Sequence, residues 1–126
     1  MPKAKTSFDG MSETEIGFGI DGDNDLEIRL QERVEKMFIY VQLDDMKDLR
    51  KGIKDVLNGK VETFKITCSE DEDDTLTFSL SEIHMGYVNI YTEGSDYIFA
   101  RFTIETVKAI RKELKKYRNM MKRDAE

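Results

Sequence analysis

Leu76-Thr77-Phe78-Ser79-Leu80, Tyr87-Val88-Asn89-Ile90-Tyr91 and Ile98-Phe99-Ala100-Arg101-Phe102-Thr103-Ile104 decide the fold class. In each run apolar residues alternate with polar or aromatic ones, the period of two of a half-buried strand. The connections, including Glu93-Gly94-Ser95-Asp96, have the composition of turns in an antiparallel meander. A further strand around Phe64, Ile66 and Cys68 precedes them, with the acidic turn 69–74 between.

Outward from this meander the pattern changes period. Met46, Leu49, Ile53 and Val56/Leu57 recur at helical spacing, with Asp44 or Asp45 as the expected N-cap and Asn58-Gly59 as the stop. Val107, Ile110, Leu114, Tyr117 and Met121 predict a second, longer helix from about Glu105. Upstream, Leu26, Ile28 and Leu30 alternate with charged or polar residues, and a strand follows over 37–43. The expected order is β-β-α-β-β-β-β-α, an α+β domain with one antiparallel sheet of five to six strands packed by two helices. Residues 14–126 form that single domain and residues 1–13 a loose leader. No internal repeat is visible in the sequence.

The 126 residues suffice for one core without staples. A single cysteine, Cys68, excludes an intramolecular disulfide, and no apolar stretch resembles a secretory signal or a membrane span. Cytoplasm is the expected location. The net charge of −6 is unevenly spread. Eight basic and four acidic residues lie between 105 and 126, giving +4 there and leaving −10 for residues 1–104. An acidic body favours basic protein partners or grooves built for nucleic acid, while the basic helix pulls the other way.

Motifs that carry chemistry are matched only in part. Gly17-Phe18-Gly19-Ile20-Asp21-Gly22 fits G-x-G-x-x-G, but an alternating strand follows where a dinucleotide loop needs a helix, so a turn is expected. Asp21, Asp23, Asp25, Ile28 and Glu32 fall at calcium-loop positions, yet Leu26 replaces the glycine of the sharp turn. An Asp-rich hairpin is therefore expected, with no cofactor and no metal. His84 stands alone against structural zinc, Cys68 falls on the apolar side of its strand, and Glu82 and Glu93 are a chance acid pair among many carboxylates. No serine elbow is present, and no enzyme is expected.

Three surfaces remain as partner-binding candidates. The loop Glu70, Asp71, Glu72, Asp73 and Asp74 offers carboxylates for electrostatic steering. Tyr87, Asn89 and Tyr91 share the strand face opposite Val88 and Ile90. Lys108, Lys112 and Lys115 mark the basic side of the last helix, a platform for phosphate or an acidic protein.

The order of elements resembles the small immunity proteins of bacterial wall-associated polymorphic toxins. The resemblance spans about residues 26–120. It rests on the helix from Asp45-Met46-Lys47-Asp48-Leu49 to Leu57-Asn58-Gly59, on Leu76-Thr77-Phe78 and Val88-Asn89-Ile90, and on Phe102-Thr103-Ile104 leading into the last helix. It implies inhibition of a toxin by direct protein contact, without cofactor or turnover. A phage-borne inhibitor of a nucleic-acid enzyme, of anti-CRISPR or DNA-mimic type, would exploit the same acidic body. A nucleic-acid-binding module using the basic helix is a further alternative.

Overall fold

The computed structural model describes residues 5–126. Two antiparallel sheets of four strands hold an apolar core together with two helices, an α+β fold. The first sheet contains β1 (Thr6–Asp9), β2 (Thr14–Ile20), β3 (Leu26–Glu32) and β4 (Glu35–Val41) in sequence order. A 3-10 turn (Leu43–Asp45) then leads into α1 (Met46–Leu57). The second sheet follows as β5 (Thr63–Thr67), β6 (Thr75–Leu80), β7 (Tyr87–Glu93) and β8 (Phe99–Thr103), again in order, and α2 (Ile104–Ala125) ends the chain.

Two expectations are corrected here. The single sheet of five to six strands is two sheets of four, and Thr6–Asp9, expected within a loose leader, is a strand paired with β2. Residues 1–4 of that leader lie outside the described residues. The reason is register: Phe8 faces Ile16 across the pair and stands edge-on to Phe18, so a strand with little apolar content is held by its neighbour. With β1 and β2 in place, each half of the molecule reads as four strands and a helix. The repetition lies in element order and not in residue identity, which hides it from the sequence.

The sheets are stitched at both edges. Tyr40 of β4 accepts through its carbonyl from the Ser69 amide at 2.9 Å, and the turn after β1 reaches β8, where the Met11 amide donates to the Arg101 carbonyl at 2.9 Å. Each such bond occupies an edge group of β4 or β8 that would otherwise stand open to another chain. The inward residues are the alternate ones of each strand, such as Ile16, Leu26, Ile28 and Ile39 in the first sheet and Leu76, Phe78, Val88 and Phe102 in the second. The helix α1 packs on β5 and β6, and α2 touches both sheets and α1. Its Thr103 accepts from the Thr106 amide at 3.1 Å as the N-cap, whereas Asp45 makes no side-chain cap for α1. No helix among the described residues is long and apolar enough to cross a membrane.

Candidate functional site

The outer face of the second sheet is built by the same alternation that fills the core. Because Val88, Ile90, Ala100 and Phe102 point inward, Tyr87, Asn89, Tyr91, Phe99 and Arg101 point outward. Register aligns them into cross-strand rows. Lys65, Thr77, Tyr91 and Phe99 form one row, and Thr63, Ser79, Asn89 and Arg101 form the next.

Aromatic rings pave the first row. Tyr91 stacks on Phe99 with centroids 6.1 Å apart and planes 17° apart, and Tyr97, two residues before Phe99, stands 6.3 Å from Tyr91. Arg101 places its guanidinium carbon 5.7 Å from the Phe99 centroid, and its Nε donates to Asn89 Oδ1 at 3.2 Å. Tyr97 is 59% exposed, so the run of rings ends in solvent. Tyr87 lies one row further along and meets His84 edge-on at 6.4 Å.

Of the residues singled out in the sequence, Tyr87, Asn89 and Tyr91 are thus brought into one surface. Tyr97, Phe99, Arg101 and Lys65 belong to it and were missed. The alternation of Ile98, Ala100 and Phe102 already placed Phe99 and Arg101 on the outer side, but only the strand pairing sets them against Tyr91 and Asn89.

The other two candidate surfaces lie elsewhere. Lys108, Lys112 and Lys115 are exposed on α2, whose buried arc shares the core with the inner side of the second sheet. The basic helix side and the aromatic face therefore look away from each other. Lys108 approaches Glu105 at 3.7 Å and Lys116 pairs with Glu113 at 2.9 Å. In the acidic loop Glu70, Asp71, Glu72 and Asp73 are exposed. Asp74 is not: its Oδ1 accepts from both the amide and the hydroxyl of Ser95 at 2.8 Å, which fixes the loop against the turn after β7.

The remaining motifs resolve into structure. Gly17 and Gly19 lie inside β2 and not in a turn; a Cβ at Gly17 would stand 2.6 Å from an Arg29 terminal nitrogen, so the glycine makes room for that guanidinium. Glu32, at the last calcium-loop position, sits at the far end of β3 from Asp25, roughly 20 Å of extended chain away. Asp21 Oδ1 accepts from the Asp23 and Asp25 amides at 2.9 Å each, an Asx-type turn. Asp21 and Asp25 do meet Glu70 across the chain, with carboxylate oxygens within 4.8 Å of one another, a grouping the sequence did not reveal. Burial first, then the charges of Asp21 and Asp23, raise the Asp25 carboxyl above its ordinary range.

Cys68 is buried, and its Sγ receives the Tyr40 amide at 3.4 Å. His84 belongs to the loop beyond the opposite end of β6, so the two cannot act as a nucleophile pair. Glu82 and Glu93 flank opposite ends of β7 and make no acid-base pair either.

The fold itself has a counterpart. A chain from the crystal structures of Trypanosoma bruciei MRP1/MRP2 superposes with a TM-score of 0.60 at 10% sequence identity, covering 99% of this chain and 88% of that one. At that identity the likeness concerns architecture alone. No family model matches the sequence, and no curated protein does.

Proposed function

We propose that the chain is a non-catalytic binding protein whose outer face on the second sheet holds single-stranded nucleic acid. The observation that carries this reading is the run Tyr97, Tyr91 and Phe99, closed by Arg101 over the last ring. Unpaired bases stack on such rings whatever their identity, and a neighbouring arginine adds a cation–π contact. A duplex hides its base faces, so the row selects single strands. Lys65, on the same row, supplies a cation for the backbone. A buried thiol without a partner cysteine fits a reducing cytoplasm, where such strands occur.

Fluorescence anisotropy with a labelled short oligothymidylate tests the reading. Tyr91→Ala and Phe99→Ala should each weaken binding about 5- to 150-fold, the worth of one stacked base, while circular dichroism stays that of the parent. An equal mass of duplex should fail to compete. If replacing Lys108, Lys112 and Lys115 abolishes binding and Tyr91→Ala leaves it unchanged, the basic helix is the platform and the sheet is not.

A second reading is favoured by the exposed carboxylates of Glu70, Asp71, Glu72 and Asp73, held on a loop of fixed shape. An inhibitor or immunity-type protein, or a DNA-mimic inhibitor of a nucleic-acid enzyme, would present such a loop to a basic partner. Neutralising Asp71, Glu72 and Asp73 would then slow association with that partner at low salt, and an unchanged rate would remove this reading.

A further inference from the structure

Next to the aromatic row the outer face hollows into a groove of about 450 Å³, within the size range of small-molecule sites. Asn89 and Arg101, facing each other across β7 and β8, belong to its half-buried polar lining together with Ser79 and Ser81. Val61, Glu62, Glu82 and Ile83, all exposed, form its mouth. Ile83 is 86% exposed, an apolar side chain beside a polar hollow.

Arg101 is held from two directions, by the Asn89 carbonyl on Nε and by the Phe99 ring under the guanidinium. That anchoring leaves both terminal nitrogens, and the Asn89 amide nitrogen, without an acceptor among the described residues. An anchored fork of free donors is a site for two adjacent acceptors. The charge of the lining narrows the choice. One arginine faces two glutamates, so a phosphate would meet a net negative hollow, whereas an uncharged ring would not.

We propose that this groove seats a guanine base of the strand held on the aromatic row, an inference that rests on the single-strand reading above. Guanine places the acceptors O6 and N7 side by side, the pair that an arginine fork binds bidentately. Its next edge carries the N1–H and N2–H₂ donors, for which Glu62 and Glu82 offer acceptors at the mouth. No other standard base combines two adjacent acceptors on one edge with two donor groups on the next. Val61 and Ile83 supply the apolar cover for the ring faces.

Two measurements on the full chain test this. First, guanosine is titrated into the protein and followed by nitrogen NMR at the Asn89 side-chain amide and the Arg101 Nε. Saturable shifts are expected with guanosine and none with thymidine at equal concentration; equal responses, or none, overturn the proposal. Second, one thymidine of the oligothymidylate is replaced by deoxyguanosine, which should tighten binding about tenfold. Arg101→Lys keeps the charge and removes the fork, so the ratio of the two affinities should return to about one. The joint variant Glu62→Gln and Glu82→Gln should lower the same ratio, and a ratio unchanged in both variants overturns the proposal. Oligothymidylate binding with no gain from deoxyguanosine removes the groove and leaves the aromatic row standing. Loss of all strand binding removes the single-strand reading, and the guanosine titration then judges the groove by itself.

Discussion

Thr77 carries the tension of a sheet face that is both outer and covered. It points outward between Lys65 and Tyr91, yet it is only 3% exposed, and its hydroxyl has no hydrogen-bond partner among the described residues. A buried unpaired hydroxyl costs on the order of 1–3 kcal/mol. Thr77→Val keeps the shape and removes the hydroxyl, so it should raise stability by about 1 kcal/mol in urea denaturation. An unchanged midpoint would show that solvent reaches the oxygen. Asp25 offers a second test at this scale. Its carboxyl is raised by burial and by Asp21 and Asp23, so the folded chain holds that proton to a higher pH than the unfolded chain does. Stability therefore falls as pH climbs from the ordinary carboxylate range through the raised value. Asp25→Asn should be more stable than the parent at neutral pH, and the difference should shrink as pH drops below that window. A difference independent of pH would mean that the charge is not the cause.

The two helices fit their sheets by different devices. In α1 a glycine stands mid-helix, where alanine is better by about 1 kcal/mol. Packing explains it: a Cβ on Gly52 would stand 2.3 Å from the Phe64 ring, so the helix backbone lies against the ring of β5. Gly52→Ala should therefore destabilise by about 1–3 kcal/mol despite its better propensity. A stabilised variant would show that Phe64 can move aside. The fit of α2 is polar as well as apolar. Tyr117, fully buried, donates to the Phe18 carbonyl at 3.0 Å and lies 3.0 Å from the Thr6 hydroxyl, tying the helix to β1 and β2. The two helices are joined to each other by a reciprocal pair in which Arg50 Nε donates to the Arg111 carbonyl at 3.3 Å and Arg111 Nε to the Arg50 carbonyl at 3.0 Å. Burial, then the charges of Arg111 and Arg118, lowers the Arg50 pKa from its ordinary value.

Across the whole molecule, charge and shape set how binding should respond to salt. The aromatic row has Lys65 and Arg101 as its cations, while residues 1–104 carry a net −10. With the Arg101 fork turned to a base edge, Lys65 is the cation left for the backbone, and neutralising one phosphate of a single strand gives a slope of log affinity against log salt of roughly −0.7, far shallower than an extended basic groove would give. A salt titration of oligothymidylate binding should show this shallow slope in the parent, and Lys65→Ala should remove most of it. A slope several times steeper would assign the affinity to the lysines of α2.

Period and composition determined most of the elements. The alternations at 26–30, 64–68, 76–80 and 98–104 and the helical spacings at 46–57 and 107–121 are local properties, because strand and helix each impose their own repeat on neighbouring residues. For the same reason Tyr87, Asn89 and Tyr91 were legible as one face, and Cys68 as a buried thiol. The division into two sheets, the strands at Thr6–Asp9 and Thr14–Ile20 and the stitched edges were not legible, since they depend on which distant backbone groups pair. Tertiary structure alone set Phe99 against Tyr91, Arg101 against Asn89 and Glu70 beside Asp21. Each of those contacts joins residues whose separation along the chain carries no period, and only pairing register and packing bring them together.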